Sequence, residues 1–425
     1  MHSLPPEIIS RIGDYLPDKD LAHLAQVDSH LSQTLSHSLL KRALEDKPPL
    51  VIKIPALLWA IQFGHTRLVK KIVSQPNYTI IDHHLEALDL VAEYGHADMV
   101  PILISAGYEI GQSLHTAANN GNHSVLTELL NHGATIHHTV NGMTTLVSAI
   151  HAPWTRWIKT GATIKTKEAA IKFVKLIEAD AVSTIRVLLS HGAHSDICTP
   201  DHEGNTPLHH AVLRCIGSVN DLRAGSGILR LLVDSGASLT ARNNDDMTPL
   251  EVSVFHPTAC TTTINFFLDI GLSPNTEFRH GGSLLSNSLT CNIAALPIIQ
   301  LLLDRGAYTD GVDLFDFFFR QNEADPLFDK ILTLLLIHGA SFGDEASRCF
   351  TYGARVGMLD AMKTVLETCP GIDINTSVDP HGLKPGGTPL QFAISYGRAD
   401  IVQFLVESGV KVSKQQKAQV ESMLG

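Results

Sequence analysis

The stretch EGNTPLHHAV, from Glu203 to Val212, places two histidines side by side in a chain that contains 23 of them. Thr206 can cap the start of a helix with its hydroxyl group. Pro207 suits the first turn of that helix, because its missing N–H would have no helical partner there. Leu208 and Ala211 follow at the three-residue spacing of one helix face. The stretch therefore predicts a short helix that buries Leu208.

Related phrases recur along the chain. They are GMTTLVSAI at Gly142–Ile150, DMTPLEVSV at Asp246–Val254, GGTPLQFAI at Gly386–Ile394 and, more loosely, QSLHTAANN at Gln112–Asn120. In each phrase a small residue stands three positions after the key leucine. A second phrase occurs downstream, for example LLNHGAT from Leu129 and LLLDRGA from Leu301. Self-similarity of this kind is the sequence signature of a repeat architecture.

The spacing between these phrases is regular. Seven residues separate the key leucine from a turn glycine in Leu57–Gly64, Leu88–Gly95, Leu114–Gly121 and Leu390–Gly397. Twelve residues separate that glycine from the next in Gly95–Gly107, Gly121–Gly133 and Gly397–Gly409. Glycine adopts the left-handed conformation at little cost. We therefore expect these glycines to end short helices.

With a period of about 33 residues and the phrase T-P-L-H-x-A, these segments resemble ankyrin repeats. The resemblance implies an all-α solenoid of helix–turn–helix units with β-hairpin-like loops, whose hairpin tips and first helices form a protein-binding concave face. We predict about ten repeats over residues 55–413, with insertions near 151–177 and 214–227, and a tail at 414–425. The units at 313–342 and 348–375 lack T-P-L-H and are predicted from helical periodicity alone.

The same resemblance answers the question about the two histidines. In ankyrin repeats the histidine after Thr-Pro-Leu is part of the framework and forms hydrogen bonds along the stack. His209 and His115 occupy that place, so we expect a structural role and no acid–base or metal chemistry. His210 is predicted to face solvent or the groove. The pairs His83–His84 and His137–His138 lack the i,i+4 or carboxylate companion of a metal site.

Composition argues against several functional classes. Hydrophobic residues make up 44% of the chain and charged residues 18%, which suits a packed core and argues against disorder. The net charge of −11 argues against general affinity for nucleic acid or an anionic membrane. The chain shows no bilayer-length apolar run, and its first residues, MHSLPPEIIS, lack the pattern of a secretory signal. We therefore expect a cytoplasmic and/or nuclear protein.

No motif indicates enzyme chemistry. The sequence contains no phosphate-binding loop, nucleophile elbow, H-E-x-x-H helix or dinucleotide-binding glycine motif. Its six cysteines are scattered without a C-x-x-C pair, so we expect reduced, mostly buried thiols and no zinc site. We predict no catalytic residues, no metal and no cofactor. An enzyme with a novel site is a third alternative, after the two described below.

Residues 1–44 do not follow the repeat. Leu4, Pro5, Glu7, Ile8, Ile12, Tyr15, Leu16, Asp20, Leu21, Leu24 and Val27 match the pattern of an F-box, although the distal tryptophan of many family members is absent. The resemblance implies docking onto the adaptor subunit of cullin–RING ubiquitin ligases through Leu4, Pro5, Ile8, Ile9, Ile12 and Leu16. The alternative is a helical cap on the repeat array. Residues 45–54 are the predicted linker.

The longer insertion contains a basic and aromatic stretch. Trp154, Arg156, Trp157 and Lys159 form a candidate partner surface, suited to an acidic or phosphorylated segment because tryptophan and arginine are typical interface anchors. The alternative is a lengthened amphipathic helix with a core-directed side formed by Ile171, Phe173, Val174, Leu176 and Ile177. The shorter insertion, residues 214–227, predicts a flexible loop.

These features predict the substrate-recognition subunit of an SCF-type cullin–RING ubiquitin ligase. The F-box would bind the ligase adaptor, and the ankyrin surface would bind an unidentified protein substrate. Its mechanism would be proximity, because tethering raises the local concentration of substrate lysines near the conjugating enzyme. We expect a monomer outside the ligase complex. The alternative is an ankyrin-repeat scaffold or inhibitor unrelated to ubiquitin.

Overall fold

The structure is a computed structural model. It describes residues 56–75, 78, 80, 86–160, 166–216, 226–255, 261–279, 281–290, 296–310, 312, 314, 326–369, 371–378 and 386–424. The F-box-like segment lies outside the described residues. The chain divides into two compact units, of which unit 1 ends at Pro249 and unit 2 begins at Leu250.

Unit 1 consists of short helices in consecutive pairs. They are α1 (Ala56–Gln62), α2 (Thr66–Val73), α3 (Ala87–Tyr94), α4 (Val100–Ser105), α5 (Ser113–Asn120), α6 (His123–Asn131), α7 (Thr145–Thr160), α8 (Lys167–Ser190), α9 (Pro207–Ile216) and α10 (Ser226–Asp234). First helices pack on first helices of neighbouring pairs, as α7 does on α5 and α9. Second helices pack in the same way, as α8 does on α6 and α10.

Unit 2 continues the helical pattern. Its helices are α11 (Pro249–Phe255), which begins at the unit boundary, α12 (Thr261–Asp269), α13 (Leu284–Thr290), α14 (Leu296–Asp304), α15 (Pro326–Ile337), α16 (Ala346–Val356), α17 (Leu359–Thr368), α18 (Pro389–Ser395), α19 (Ala399–Glu407) and α20 (Lys414–Leu424). The segment at 348–375, predicted from periodicity alone, falls on α16 and α17. Residues 414–424, predicted as a tail, form α20, which packs on α19.

The residues that recur in the sequence phrases form the hydrophobic core of these helix pairs. The key leucines Leu57, Leu88, Leu114, Leu146, Leu208 and Leu390 are all buried. The small residues Ala117, Ala149, Ala211, Ser253 and Ala393 are buried as well, which lets neighbouring helices approach closely. Burying one leucine side chain stabilises a fold by roughly 1.5–3 kcal/mol. Because these positions recur in each repeat, each helix pair contributes its own buried leucine and small residue to the core.

Turns between the helices follow the sequence prediction. Gly64, Gly95, Gly121 and Gly397 all have positive φ, between 68° and 84°. In α18, Thr388 caps the helix start: its hydroxyl accepts a hydrogen bond from the Gln391 N–H, and the Gln391 side chain accepts one from the Thr388 N–H. This reciprocal capping box satisfies two N–H groups that the helix leaves unpaired.

Strands are few in the described part of the chain. β1 (Thr139–Val140) pairs antiparallel with β2 (Met143–Thr144) through a turn at Asn141 and Gly142, which both have positive φ. An Asn-Gly turn of this kind is the preferred two-residue hairpin connection. The hairpin precedes α7, as the β-hairpin-like loops of the sequence prediction require. The predicted all-α architecture is confirmed.

The longer insertion lengthens one helix pair. α7 has 16 residues and α8 has 24, whereas the compact α5 and α6 have 8 and 9. At 1.5 Å per residue, α8 is about 36 Å long. Glu178 in the lengthened part of α8 accepts a hydrogen bond from the Gly227 N–H in the first turn of α10, at 2.8 Å. Val174 and Ile177 are buried and Ile171 and Phe173 are half-buried, as the amphipathic-helix alternative predicts, whereas Leu176 is 55% exposed and does not belong to the core-directed side.

Two other predictions are tested by the described residues. No helix among them combines the length and apolar character needed to cross a membrane. Three cysteines are described, all as free thiols: Cys349 is buried, Cys369 is half-buried and Cys198 is exposed. The prediction of mostly buried thiols therefore fails for Cys198, because it lies in the surface turn at the end of a 3-10 helix, Ala193–Cys198.

Candidate functional site

The candidate site lies on the first helices α5, α7 and α9 of unit 1. Within these helices the leucine and alanine positions repeat, while the outward positions differ from pair to pair. The differing residues are Thr116 and Asn119 in α5, His151 and Thr155 in α7, and His210, Leu213 and Arg214 in α9. In a repeat protein the positions that vary over a constant core are the ones available for recognition.

Three of these side chains form one chain of hydrogen bonds with Asp201 from the loop before α9. His210 Nε2 lies 2.9 Å from Asp201 Oδ2, His151 Nε2 lies 3.3 Å from His210 Nδ1, and Arg214 Nη2 lies 3.3 Å from His151 Nδ1. Thr155 Oγ1 donates to Asn119 Oδ1 at 3.1 Å and so links α7 to α5. We call Asn119, His151, Thr155, Asp201, His210 and Arg214 the polar strip.

The hydrogen-bond donors fix the tautomers of both histidines. Arginine can only donate, so Arg214 requires a lone pair on His151 Nδ1 and leaves the proton on Nε2. His151 Nε2–H then donates to His210 Nδ1, and His210 Nε2–H donates to Asp201 Oδ2. Each ring N–H of the two histidines thus meets an acceptor. All four ring nitrogens are used, which leaves none of them for a metal ion or for proton transfer to a substrate.

Asp201 is anchored to its own loop. Its Oδ1 accepts hydrogen bonds from the backbone N–H groups of Glu203 at 2.9 Å and Asn205 at 2.8 Å. Its side chain is 5% exposed, and that of His210 is 10% exposed. The carboxylate therefore joins the loop before α9 to helix α9 itself, and through His210 and His151 to the preceding pair.

Burial keeps both histidines neutral. Desolvation, followed by the positive charge of Arg214 and the proximity of His210, lowers the pKa of His151 to about 3, although Asp201 acts in the opposite direction. Burial also lowers the pKa of His210, against the effect of Asp201. Burial lowers the pKa of Arg214 from that of a free guanidinium group as well. Two neutral imidazoles thus lie between a cation and an anion.

His209 and His210 prove to have different roles. His209 is fully buried; its Nδ1 lies 2.8 Å from Thr206 Oγ1 and its Nε2 lies 2.9 Å from the carbonyl oxygen of Met247 in the next loop. The predicted framework role along the stack is confirmed for His209. His115 has the same framework role between α5 and α7: its Nε2 lies 3.3 Å from Thr145 Oγ1.

The prediction for His210 needs correction. It is only 8% exposed, because His151 of α7 and Asp201 cover its ring from two sides, so it does not face solvent. His137 likewise has a carboxylate companion that its sequence neighbours do not reveal: His137 Nδ1 lies 3.1 Å from Asp196 Oδ1. No cluster of three or more potential metal ligands occurs among the described residues.

The residues predicted from sequence as sites are only partly described. Leu4, Pro5, Ile8, Ile9, Ile12 and Leu16 lie outside the described residues. Trp154, Arg156, Trp157 and Lys159 lie in the lengthened part of α7, but their side chains are outside the described part of the structure. Their helix is the one that also presents His151 and Thr155. Sequence reasoning did not predict the polar strip. Counting residues from the key leucines would have placed its helical members on the side of each helix that faces away from the key leucine.

Comparison with known proteins agrees with the repeat pattern. The family model described as "Ankyrin repeat" matches residues 113–141 and 203–244, and a second ankyrin-repeat model matches residues 385–414. A curated relative, the B-cell lymphoma 3 protein homolog of Mus musculus, is 28% identical over 230 residues. The match covers 53% of this chain and 42% of that relative, so the chain spans less than half of the relative's length.

Solved ankyrin-repeat structures are also similar to this chain. The ankyrin repeat domain of Bcl-3, described as a unique member of the IkappaB protein family, is 22% identical with a TM-score of 0.35, over 68% of this chain and 97% of that one. The human ASB11 ankyrin repeat domain is 19% identical with a TM-score of 0.41, over 60% and 99%. The ankyrin repeat protein EF0377 is 20% identical with a TM-score of 0.37, over 51% and 98%.

The matched segments lie in both units, two of them in unit 1 and one in unit 2. They include Thr206-Pro207-Leu208-His209, where the framework role of His209 is seen directly, and Thr388-Pro389-Leu390-Gln391, where the capping box is seen. The helix pairs with their buried leucines and left-handed glycines surround these segments. The chain thus carries ankyrin repeats, on an all-α ankyrin-repeat solenoid fold.

Proposed function

We propose that this protein is an interaction scaffold that recognises another protein through the polar strip of unit 1. The observation that carries the proposal is the hydrogen-bonded chain from Asp201 through His210 and His151 to Arg214, on first helices of neighbouring repeats. Ankyrin repeats are protein-binding modules in the family that the chain resembles. No bond chemistry is required of the protein in this role.

The geometry suits recognition because the strip is held in place before a partner arrives. Asp201 and His210 are buried, whereas Asn119, His151, Thr155 and Arg214 are half-buried and reach the surface. A surface whose side chains are already ordered loses less conformational entropy on binding, which favours affinity. Arginine and amide groups offer directional hydrogen bonds to a partner, so the strip supplies specificity as well as contact area.

A matched pair of variants tests this proposal. Arg214→Gln removes one positive charge from the strip, and Arg186→Gln removes one from the exposed side of α8, a second helix. Affinity purification from cells, followed by quantitative mass spectrometry, should identify proteins that wild type and Arg186→Gln retain. We expect roughly tenfold less of these proteins with Arg214→Gln, as for the loss of an interface anchor.

Folding has to be compared in the same experiment. The circular dichroism spectra and melting temperatures of the two variants should be measured beside those of the wild type. Identical sets of captured proteins for folded wild type, Arg214→Gln and Arg186→Gln would rule out the polar strip as the recognition surface. A direct binding measurement with the purified partner should then reproduce the difference between the two variants.

A second candidate function is that of a substrate receptor in a cullin–RING ubiquitin ligase. The observation that favours it is the F-box-like order of residues from Leu4 to Val27, in which Leu-Pro, Glu-Ile and Asp-Leu stand at the family's spacing. In this proposal, Leu4, Pro5, Ile8, Ile9, Ile12 and Leu16 bind the ligase adaptor, and the ankyrin surface presents a substrate protein. Tethering would then raise the local concentration of substrate lysines.

Co-purification with the ligase adaptor and cullin separates the two candidates. Wild type should capture both, and a variant with Ile8, Ile12 and Leu16 changed to glutamate should lose them. Ser10→Glu, which lies off the apolar pattern, is the matched control and should retain them. Absence of the adaptor from wild-type samples, or its retention by the triple variant, would leave the scaffold function without a ligase role.

A further inference from the structure

Helix α8 projects beyond the second helices of the neighbouring repeats. Each of α6, α8 and α10 is followed by a turn glycine with positive φ, namely Gly133, Gly192 and Gly236, so the ends of the three helices correspond. α8 has 24 residues and each of its neighbours has 9, a difference of 15. The additional residues therefore lie at the beginning of α8, and at 1.5 Å per residue they add about 22 Å to its length. We call residues 167–181 the α8 extension.

The α8 extension has a buried side and an exposed side. Val174, Ile177 and Ala181 are buried at the i, i+3 and i+7 positions of one helix side, and α8 packs on α7. The opposite side of the helix is exposed and consists of Lys172, Lys175, Leu176 and Ala179. We call these four residues the lysine–leucine face. Leu176 is 55% exposed, although the sequence pattern predicts it on the core-directed side.

Leu176 is the centre of the lysine–leucine face. Lys172 lies one turn before Leu176 and Ala179 lies one turn after it, so the three residues stand in one row on the helix. Ala179 adds little bulk to this row, which allows another helix to approach α8 closely. Single exposed apolar side chains are common on protein surfaces, but this leucine lies beside two lysines on a part of α8 that extends past the starts of α6 and α10.

The two lysines have no acidic partner within the chain. Neither Lys172 nor Lys175 forms a hydrogen bond or an ion pair in the part of the chain that the structure describes. The acids of the α8 extension have other roles: Glu168 lies in the first turn, where a carboxylate complements the positive end of the helix dipole. Glu178 binds the first turn of α10, and Asp180 is half-buried with an interaction of its own. The lysine–leucine face therefore presents positive charge in a chain whose net charge is −11.

We propose that the lysine–leucine face is a docking surface for an acidic amphipathic helix of a partner protein. The partner helix lies along the α8 extension. Its aspartate or glutamate side chains pair with Lys172 and Lys175, and a leucine or isoleucine between them covers Leu176. The aliphatic stems of the two lysines widen the apolar contact around Leu176, because a lysine can bury its stem while its ammonium group stays in water.

The spacing and charge of this face favour a helix over other anionic ligands. The exposed residues recur once per turn of α8, and the side chains of a second helix recur at the same interval, so charged and apolar groups can be matched along both helices. A nucleic acid or an anionic membrane requires a broad basic surface. The lysine–leucine face has two lysines on one narrow side of a helix, which suits a line of carboxylates.

This face is separate from the polar strip and does not depend on it. The polar strip lies on the first helices α5, α7 and α9 and on the loop before α9, whereas the lysine–leucine face lies on a second helix. The proposal goes beyond the scaffold function because it names the chemistry of one partner and the place where that partner binds. The Arg214→Gln variant should bind an acidic helix as well as wild type does, so either proposal can fail without the other.

Fluorescence anisotropy with the full chain tests the proposal. The probe is a labelled helical peptide with a leucine stripe flanked by glutamates one turn apart, and its control is the same peptide with glutamine at every glutamate. We expect the acidic peptide to bind and the glutamine peptide to bind at least tenfold more weakly. The double variant Lys172→Gln with Lys175→Gln should weaken binding of the acidic peptide about tenfold, and Leu176→Ala should do the same as the loss of an apolar anchor.

Charge reversal provides a second, independent measurement. The double variant Lys172→Glu with Lys175→Glu should lose the acidic peptide and should bind a peptide with lysine at every glutamate, because the sign of the charge on each side decides the attraction. The circular dichroism spectra of these variants should equal that of the wild type, since the three changed side chains are exposed.

Unit 2 supplies matched controls. Lys330 is an exposed lysine of the second helix α15, and Ile337 is 66% exposed at the end of the same helix. Lys330→Gln and Ile337→Ala should leave the affinity within about twofold of wild type at about 0.1 M salt, where distant surface charges are screened.

Three results would overturn the proposal. The first is that the acidic peptide does not bind wild type, or binds Leu176→Ala and the double glutamine variant as tightly as wild type. The second is that phosphatidylserine vesicles bind with the same dependence on Lys172 and Lys175, which would assign the face to a membrane. The third is a dimer in sedimentation experiments that Leu176→Ala dissociates, which would assign the face to a second copy of the chain.

Discussion

Units 1 and 2 join their neighbouring first helices in different ways. In unit 1, α7 and α9 are connected by hydrogen bonds between buried and half-buried side chains, from Asp201 through His210 and His151 to Arg214. In unit 2, α16 and α18 are connected by Arg355 and the half-exposed ring of Tyr396. A buried hydrogen-bond chain is costly to break, because each member that loses its partner stays desolvated. An exposed stack can open into water at little cost.

This difference teaches that the same repeat framework can carry two kinds of surface. The polar strip of unit 1 contributes to stability as well as to recognition, since two of its members are buried. The contact between Arg355 and Tyr396 in unit 2 is instead half open to water, since the ring of Tyr396 is 51% exposed. Variants in the two units should therefore differ in their free energy of unfolding, with large effects in unit 1 and small effects in unit 2.

The largest effect is expected from Asp201→Ala. The change removes the acceptor of the Glu203 N–H, the Asn205 N–H and His210 Nε2; Glu203 is exposed to water, but the other two donors are on buried residues and lose their partner. We expect the free energy of unfolding to fall by about 3 kcal/mol, at 1–3 kcal/mol for each unsatisfied group with partial relaxation. Urea denaturation followed by circular dichroism measures it.

Asp201→Asn is the matched variant, because its amide oxygen can still accept from the two backbone N–H groups, whereas its NH2 group replaces the acceptor of His210 Nε2–H. It should lower the free energy of unfolding by less than Asp201→Ala does. A loss below about 0.5 kcal/mol for Asp201→Ala, the size of an ordinary surface substitution, would show that the buried chain in unit 1 does not contribute to stability. The comparison between the units would then fail.

Acid should weaken unit 1 through His151. The pKa of His151 is about 3 in the folded protein and 6.5 in the unfolded chain, so between these pH values the unfolded state binds more protons. Stability is therefore complete above pH 6.5 and is lost as the pH falls towards 3. His210, Asp201 and Arg214 face this ring, and the lowered pKa of His210 acts in the same direction. At about pH 4, which lies 2.5 below the unfolded pKa, the full effect would be about 3 kcal/mol, and screening of the half-buried ring by water reduces the expected loss to about 2 kcal/mol.

Denaturation curves at several pH values measure this effect. His151→Gln should lower the dependence of stability on pH between about 6.5 and 4, because the titrating ring is gone. His191→Gln changes an exposed histidine at the end of α8 and should leave that dependence as it is in wild type. The same pH dependence in wild type and His151→Gln would contradict the assignment.

An intermediate effect is expected where a turn glycine touches the next repeat. A Cβ on Gly95 in unit 1 would stand 3.1 Å from Asn122 Oδ1, whose amide nitrogen caps the carbonyl of Ala92 at 2.7 Å. The three atoms nearest to a Cβ on Gly357 in unit 2 all belong to the guanidinium end of Arg398, a long and flexible side chain. Both glycines have positive φ, at 84° and 109°, so alanine is strained at either site by about 1–2 kcal/mol.

Gly95→Ala should therefore lower the free energy of unfolding by about 1 kcal/mol more than Gly357→Ala does, because it also disturbs the hydrogen bond from Asn122 to the Ala92 carbonyl. Gly133→Ala is the control for backbone strain alone, since φ is 89° and no atom lies within 4 Å of the added Cβ. Thermal or urea denaturation measures all three. If Gly95→Ala lowers the free energy of unfolding by no more than Gly133→Ala does, then the contact with Asn122 has no effect beyond backbone strain.

The smallest effect is expected from Tyr396→Ala in unit 2. The ring of Tyr396 is 51% exposed, and cation–π contacts at exposed sites contribute about 0.5–1 kcal/mol. The free energy of unfolding should therefore fall by about 1 kcal/mol or less, which urea denaturation measures. A loss of stability as large as that of Asp201→Ala would remove the contrast between the units.

The sequence by itself determined the architecture of this protein. The spacing of Leu208, Ala211 and the turn glycines predicts short paired helices, because burial of one helix face and the left-handed preference of glycine act within a few residues. The framework role of His209 was implied by the resemblance to ankyrin repeats, from its place after Thr206-Pro207-Leu208. The 16- and 24-residue lengths of α7 and α8 agree with an amphipathic alternative that was already visible in the sequence.

Only the tertiary structure decided which outward side chains meet. His151 and His210 lie 59 residues apart in the chain, and Arg355 and Tyr396 lie 41 apart, with unequal insertions elsewhere in the array. Which residues become partners depends on how far one helix slides and turns against the next, and no local propensity fixes that offset. Packing between repeats therefore determines the burial of His210, the direction of the hydrogen-bond chain and the stacking of Arg355. The physical reason is that this packing removes side chains that are distant in sequence from water at the same place.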